Sequence, residues 1–199
     1  MPLTNPLITD YKEGVQAIAP SATSSTCTSY SISTTTYTCT TAGAGTVAVG
    51  QTLTGTGITA GTTIVSNIAG SGSGSTWTVN ISQTASTGTA TGAPGAYITP
   101  VAGTWAKVTT ASALTVTLPP LTLDSSVGGK SFTVTVCYGG AHAVTWRTFL
   151  GATFAGWSNT NTAPTQTQVS GQCDDFVFGI LPSGAAMSGG SGLNHYTGS

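Results

Sequence analysis

Asp174 and Asp175 stand side by side in "GQCDDFVFGIL" and are the first residues to test for chemistry. A carboxylate pair does glycosidase-type work when its two groups face each other across roughly 5 to 9 Å. Neighbours on a strand point to opposite faces, so these two cannot share one substrate. Glu13 and Asp124 would have to supply a partner, and Glu13 lies in the N-terminal segment. The pair reads as a turn or strand-edge polar pair. His142 and His195 show no HxH or HxxxH spacing, and Cys27, Cys39, Cys137 and Cys173 are irregularly placed, so no metal site is expected. No Ser or Cys sits in a nucleophile signature such as G-x-S-x-G. The run GSGSGS, from Gly70 to Ser75, lacks the Lys of a phosphate loop and the following helix of a dinucleotide loop. The sequence therefore predicts no catalytic residue, no cofactor and no metal, and the protein reads as a non-enzyme.

The aromatics offer a second kind of chemistry, since their faces stack on sugars. Each Trp also buries on the order of 200 Å² and fills small cores. Trp77 and Trp146 lie in alternating strand patterns and read as core, whereas Trp105 and Trp157 remain candidates for a glycan or partner contact. His195 and Tyr196, in the tail, are expected to touch a neighbouring chain. Ordered Thr-x-Thr arrays can bind ice, but the Thr spacing of "TLTGTG" and "STGTATG" is irregular.

The elements that must position these residues are strands. Charged residues make up 5% of the 199-residue chain and the net charge is -1, against roughly 25% charged in an ordinary domain. So few cations argue against nucleic acid, which needs clustered Lys and Arg, and against a polybasic membrane contact. No apolar run approaches the ~20 residues of a membrane-spanning helix. Thr, Val, Ile and fifteen aromatic residues dominate, which is the composition of β-structure rather than of disorder.

Residues 1–22 read as an extended arm, with Pro2, Pro6 and Pro20, and with Asp10, Lys12 and Glu13 packed into four positions. Within it "TDYKEGVQA" could make one helical turn. Residues 23–93 read as a Gly/Thr-rich β module with strands at "TSYSIS", "TYTCTTA", "QTLTG", "TTIVSNIAG", "TWTVNISQT" and "STGTATG". In "TWTVNIS" the alternation puts Trp77, Val79 and Ile81 on one face. The glycines of GSGSGS serve a tight turn in left-handed backbone conformations, while "TGAPGA", residues 91–96, reads as the linker. Residues 94–187 read as a second module, with Leu114, Val116 and Leu118, then Phe132, Val134 and Val136, alternating along two of its strands. Residues 188–199 read as a Gly/Ser-rich tail along a surface. The fold class is all-β: two small β-sandwich or jelly-roll-like modules, or a related β-roll, behind an extended arm. No basic leader precedes an apolar core at the N-terminus, so synthesis in a cytoplasm and reduced thiols are expected. Cys27 and Cys39 would nonetheless face each other in a hairpin centred on Ser33.

Two stretches resemble virion proteins of tailed bacteriophages. Gly45 to Thr84 carries G-x-G-I-x-x-G-T-x-I at Gly55, Gly57, Ile58, Gly61, Thr62 and Ile64, then a Gly-rich turn and an aromatic-Thr-Val strand, with Trp77 where Tyr is commoner. Leu118-Pro119, Lys130 to Val134, Val144 to Trp146, Trp157 with Ala163-Pro164-Thr165, and Gly171 to Phe178 resemble C-terminal β domains of phage tail fibres and surface proteins. The chain departs from that pattern in doubling the Asp at Asp174-Asp175 and in ending on Ala186-Met187. The resemblance implies a structural protein on the capsid exterior, of the decoration or cement class, bound to the major capsid protein and self-associated as a homotrimer. Its arm would anchor it through Ile8, Asp10, Tyr11, Lys12 and Glu13. The alternative it implies is a head fibre or short tail fibre whose second module binds a host surface glycan.

Overall fold

Alternating β-branched, aromatic and polar residues run through most of the chain, and strands form where they do. The computed structural model describes residues 16–18, 20–21, 23–86, 88–98, 105–120, 131–155, 165–180 and 187–197. Every regular element among them is a strand, so the protein is all-β. The strands gather in three sheets around two apolar cores.

The first core is built by β2 (Ser25–Ala42), β3 (Thr52–Gly55), β4 (Ile64–Ala69), β5 (Ser75–Ser86) and β6 (Ala90–Ala93), in the order β3-β6-β2-β5-β4. All its pairings are antiparallel. β2 folds back on itself at Thr34, which has a φ of 55°. The Gly43 amide donates to Thr26 O and the Thr26 amide to Ala44 O, so the two ends of β2 meet. β5 stays paired on both sides of the bend. Thr34 lies opposite Gln83 but Thr36 lies opposite Thr78, so residues 79–82 turn the corner with it. That corner breaks the alternation expected of "TWTVNIS". Trp77 and Val79 are buried, Ile81 is half-exposed, and Asn80 turns inward. Gly70, Gly72 and Gly74 all take positive φ in the turn between β4 and β5, as their sequence suggests.

The second core is a two-layer coil. β7 (Gly95–Tyr97), β9 (Leu114–Thr117) and β11 (Val144–Arg147) form one all-parallel sheet. Opposite it lie β1 (Gln16–Ile18), β8 (Trp105–Thr110), β10 (Ser131–Tyr138), β12 (Gln172–Ile180) and β13 (Met187–Thr197), in that order, with β1, β8 and β10 parallel. Residues 111–113 join β8 to β9 across the layers, and 139–143 join β10 to β11. Connections this short cannot run back along a strand. The two sheets therefore run in opposite directions, and β9 and β11 end where β1, β8 and β10 begin. This is a β-roll rather than the antiparallel packing of a jelly roll. Val108, Val134, Val136, Phe176 and Phe178 meet Leu114, Val116, Leu118, Val144 and Trp146 between the layers.

Two expectations need correction. "TGAPGA" is no loose linker: β6 and β7 flank Pro94, and Gly95 and Ala96 are buried. The Gly/Ser tail is a strand, since β13 pairs antiparallel with β12 along most of its length. Of "TDYKEGVQA", Gln16 and Ala17 lie in β1, and the residues read as a helical turn before them fall outside the described residues. Residues beyond Ile18 are fastened too. Ser21 bridges to Gly95, and the fully buried Gln51 side chain donates to Thr23 O and Ser21 Oγ.

The cores are joined by a buried polar seam. Thr63 Oγ1 and Thr117 Oγ1 are 3.0 Å apart and buried, and Asn80 donates to Gly61 O and to Phe149 O at 2.6 Å. At its centre Gly61 meets Gly151. A Cβ on Gly61 would lie 2.3 Å from the Gly151 oxygen, and its φ is +85°. Gly61→Ala is therefore expected to cost about 3 kcal/mol, combining the left-handed penalty with overpacking. Gly72→Ala, with nothing within 4 Å, should cost ~1 kcal/mol from the dihedral alone. Urea unfolding of the two variants checks the difference, and equal losses would show that the seam tolerates opening.

Candidate functional site

One end of the roll carries a groove. Leu118 follows β9, and Pro119-Pro120 stop the strand because proline has no amide to pair. On the other side, the chain leaving β11 makes a tight loop. The Thr148 amide donates to Ala152 O and the Gly151 amide to Thr148 O, while Arg147 Nη1 donates to Gly151 O at 2.8 Å. The first core holds this loop from outside, through Asn80 on Phe149 O and Gly61 against Gly151. The loop is thus fixed at both flanks, and its tip presents Leu150 with 76% of its surface exposed.

Between loop and prolines lies a cleft of ≈ 440 Å³, floored by Leu118 and Phe154. Pro119, Pro120, Thr148, Phe149 and Leu150 form its described walls. None of these side chains ionises. The cleft can bury aliphatic or aromatic side chains, where the gain is roughly 25 cal/mol per Å² of apolar surface. Among the described lining residues the one side-chain polar group is the Thr148 hydroxyl.

Asp174 and Asp175 are not a strand-edge pair. β12 lies between β10 and β13, and Asp174 is fully buried. Its carboxylate accepts from Tyr138 Oη at 3.0 Å, from the Thr167 amide at 2.7 Å and from Thr167 Oγ1. Asp175 takes the other face, as alternation requires, and accepts from Thr135 Oγ1. Next to Thr167, Gln166 exchanges two hydrogen bonds with the backbone of Val144, completing the free edge of β11 as a strand would. Asp174 therefore closes the roll at the end opposite the groove. Burial, the Asp174 charge and the hydrogen bond to it all raise the Tyr138 phenol well above its ordinary value.

The cysteines overturn a stronger expectation. They are all bridged, Cys27 to Cys39 and Cys137 to Cys173. The first bridge closes the fold of β2, with Cα atoms 5.7 Å apart. The second joins directly opposed residues of β10 and β12, with Cα atoms 4.0 Å apart. Strand register brings each pair within bonding reach, whatever compartment makes the chain.

The remaining candidates that the structure describes, Trp105, His195 and Tyr196, lie at two levels of one sheet. Trp105 opens β8 opposite Thr133, whereas Tyr196 lies opposite Cys173, whose partner on β10 is Cys137. Four residues of β10 separate those levels, roughly 13 Å along the strand. His195 lies beside Tyr196 in β13. Ile8, Asp10, Tyr11, Lys12, Glu13 and Trp157 fall outside the described residues. Trp77 and Trp146 are buried. Trp77 Nε1 donates to Ser75 Oγ, and Trp146 packs against Phe176 and Phe178. Among the described residues no three His, Cys, Asp or Glu side chains gather as metal ligands.

No known family, characterised protein or solved structure matches the chain.

The groove was the site that sequence reasoning missed. Its one sequence signal was an apolar strand end, "VTLPP", whose Leu cannot pair onward, with "TFLG" as the facing loop.

Proposed function

We propose that the protein is a non-enzymatic structural protein of a tailed-phage virion that decorates the outside of the capsid. The reading is carried by one observation together with the sequence resemblance. The chain enters the sheet at Gln16 as edge strand β1, which fixes where the arm, read from the sequence as a tether, would attach. Such a tether can lie across neighbouring copies of a major capsid protein, with Ile8 and Tyr11 as apolar contacts and Asp10, Lys12 and Glu13 as polar ones. A homotrimer would add three weak contacts by avidity. Two disulfides suit a surface that meets an oxidising exterior after the particle leaves the cell.

The test is a truncation that spares β1. A chain lacking residues 1–13 is expected to keep its unfolding midpoint and lose at least ~100-fold in affinity for purified undecorated capsids, the scale of a lost multivalent anchor. Co-sedimentation measures it. Full binding by the truncated chain would falsify the tether, and would favour a fibre whose second module meets a host glycan.

A further inference from the structure

The groove and the tether share one end of the molecule. β9 and β11 end at the groove, and β1 begins at that same end, where Gln16 lies opposite Ala106. From β1 to the groove the path crosses one layer gap and a few strands, roughly 15 to 20 Å by ordinary sheet spacings. Extended chain covers ~3.3 Å per residue, so the eight residues back from Gln16 to Ile8 reach the groove with little to spare. The composition of the arm changes at the matching distance. Asp10, Lys12 and Glu13 would span the solvent-exposed path, while "MPLTNPLIT" carries no charged side chain and offers Pro6, Leu7 and Ile8. The described residues of the groove wall carry no ionisable group, and Leu150 stands exposed at its rim.

We propose that the chain's own segment Pro6-Leu7-Ile8 docks in the groove between Pro119-Pro120 and Leu150, strapping the arm to the roll in the free protein. The inference stands without the virion reading, because it concerns the chain alone. Where the arm is also needed by a partner, that partner must lift it from the groove first.

Lys12 provides the probe. It is one of four Lys and Arg residues in the chain and lies between the docked segment and β1, so a strap held at both ends shields it from trypsin. Cleavage after Lys12 in the full chain is expected to be at least ~10-fold slower than in a free peptide of residues 1–20, the factor that ~1.4 kcal/mol of docking supplies. Leu150→Asp and Ile8→Ser should each restore fast cleavage, and the double variant should cleave no faster than either. Leu150 is exposed, so its variant should keep the wild-type unfolding midpoint. Wild-type cleavage as fast as the peptide's, or slow cleavage that Leu150→Asp leaves unchanged, would overturn the proposal. Protection that vanishes on dilution would also overturn it, by assigning the arm to the groove of a second copy.

Discussion

Reducing the Cys137–Cys173 bridge is expected to lower the midpoint of thermal unfolding by roughly 10 °C. The bridge spans 36 residues of separation, and that span contains β11 and the whole loop that carries Leu150. Once cut, the unfolded chain regains the freedom of a large loop, worth about 4 kcal/mol in the chain-entropy account. In a chain of this size each kcal/mol moves the midpoint by about 2–4 °C. The Cys27–Cys39 bridge closes a span of 12 residues and should contribute somewhat less, about 3 kcal/mol. Calorimetry with and without a phosphine reductant measures the sum, and the Cys137→Ser/Cys173→Ser and Cys27→Ser/Cys39→Ser chains apportion it. Alkylation of the native protein should find no thiol. A midpoint that moves by less than ~2 °C in reductant would mean that the sheets hold these residues without help.

Loss of the Asp174 carboxylate is the second large effect. Asp174→Ala removes the acceptor of three hydrogen bonds, stranding the buried Tyr138 hydroxyl and unfastening the half-buried Thr167. At ~1–3 kcal/mol for each orphaned group, a loss of about 3–5 kcal/mol is expected, read from urea unfolding. Asp174→Asn keeps an acceptor and should cost less. It also isolates the electrostatics. The Tyr138 phenol is raised first by burial, then by the Asp174 charge and the bond to it, so the Asn variant should titrate at lower pH, seen in the phenolate absorbance. The sign for stability follows from the same shift. Tyr138 binds its proton more tightly folded than unfolded, and so does Tyr37, pushed up to about 12. Their contribution is complete below pH ~10, the ordinary phenol value, and is lost as pH rises through the folded values. Wild-type stability unchanged by Asp174→Ala would show that the loop at Thr167 is closed by something else.

Strand positions could be read from the sequence because alternation is a local signal. "TWTVNIS", "LTVTL" and "SFTVTVCY" each show it, and each became a strand. How the strands pair is not local. Residues 111–113 and 139–143 look like hairpin turns, yet they cross between layers and leave the flanking strands in different sheets. Nothing in "TVTL" marks its neighbours as parallel. Period-2 counting puts Asn80 opposite Trp77, Val79 and Ile81 because it assumes a straight strand, and β5 bends there. The compartment of synthesis says little about thiols that strand register holds face to face, as it does Cys27 and Cys39. The groove lay furthest out of reach, because its two walls are 30 residues apart in sequence and meet through the parallel register of β9 and β11.

β1 carries a consequence for how the chain is made. Its strand partner, β8, begins some 90 residues later, after all the strands of the first core. The first core contains no part of β1 and can form while the second is still being synthesised. At ~5–20 residues per second, β1 then waits on the order of five to twenty seconds for its strand partner. β1 is thus among the last strands to pair although it is made before all the others described, and a partner present during synthesis would meet it before β8 does.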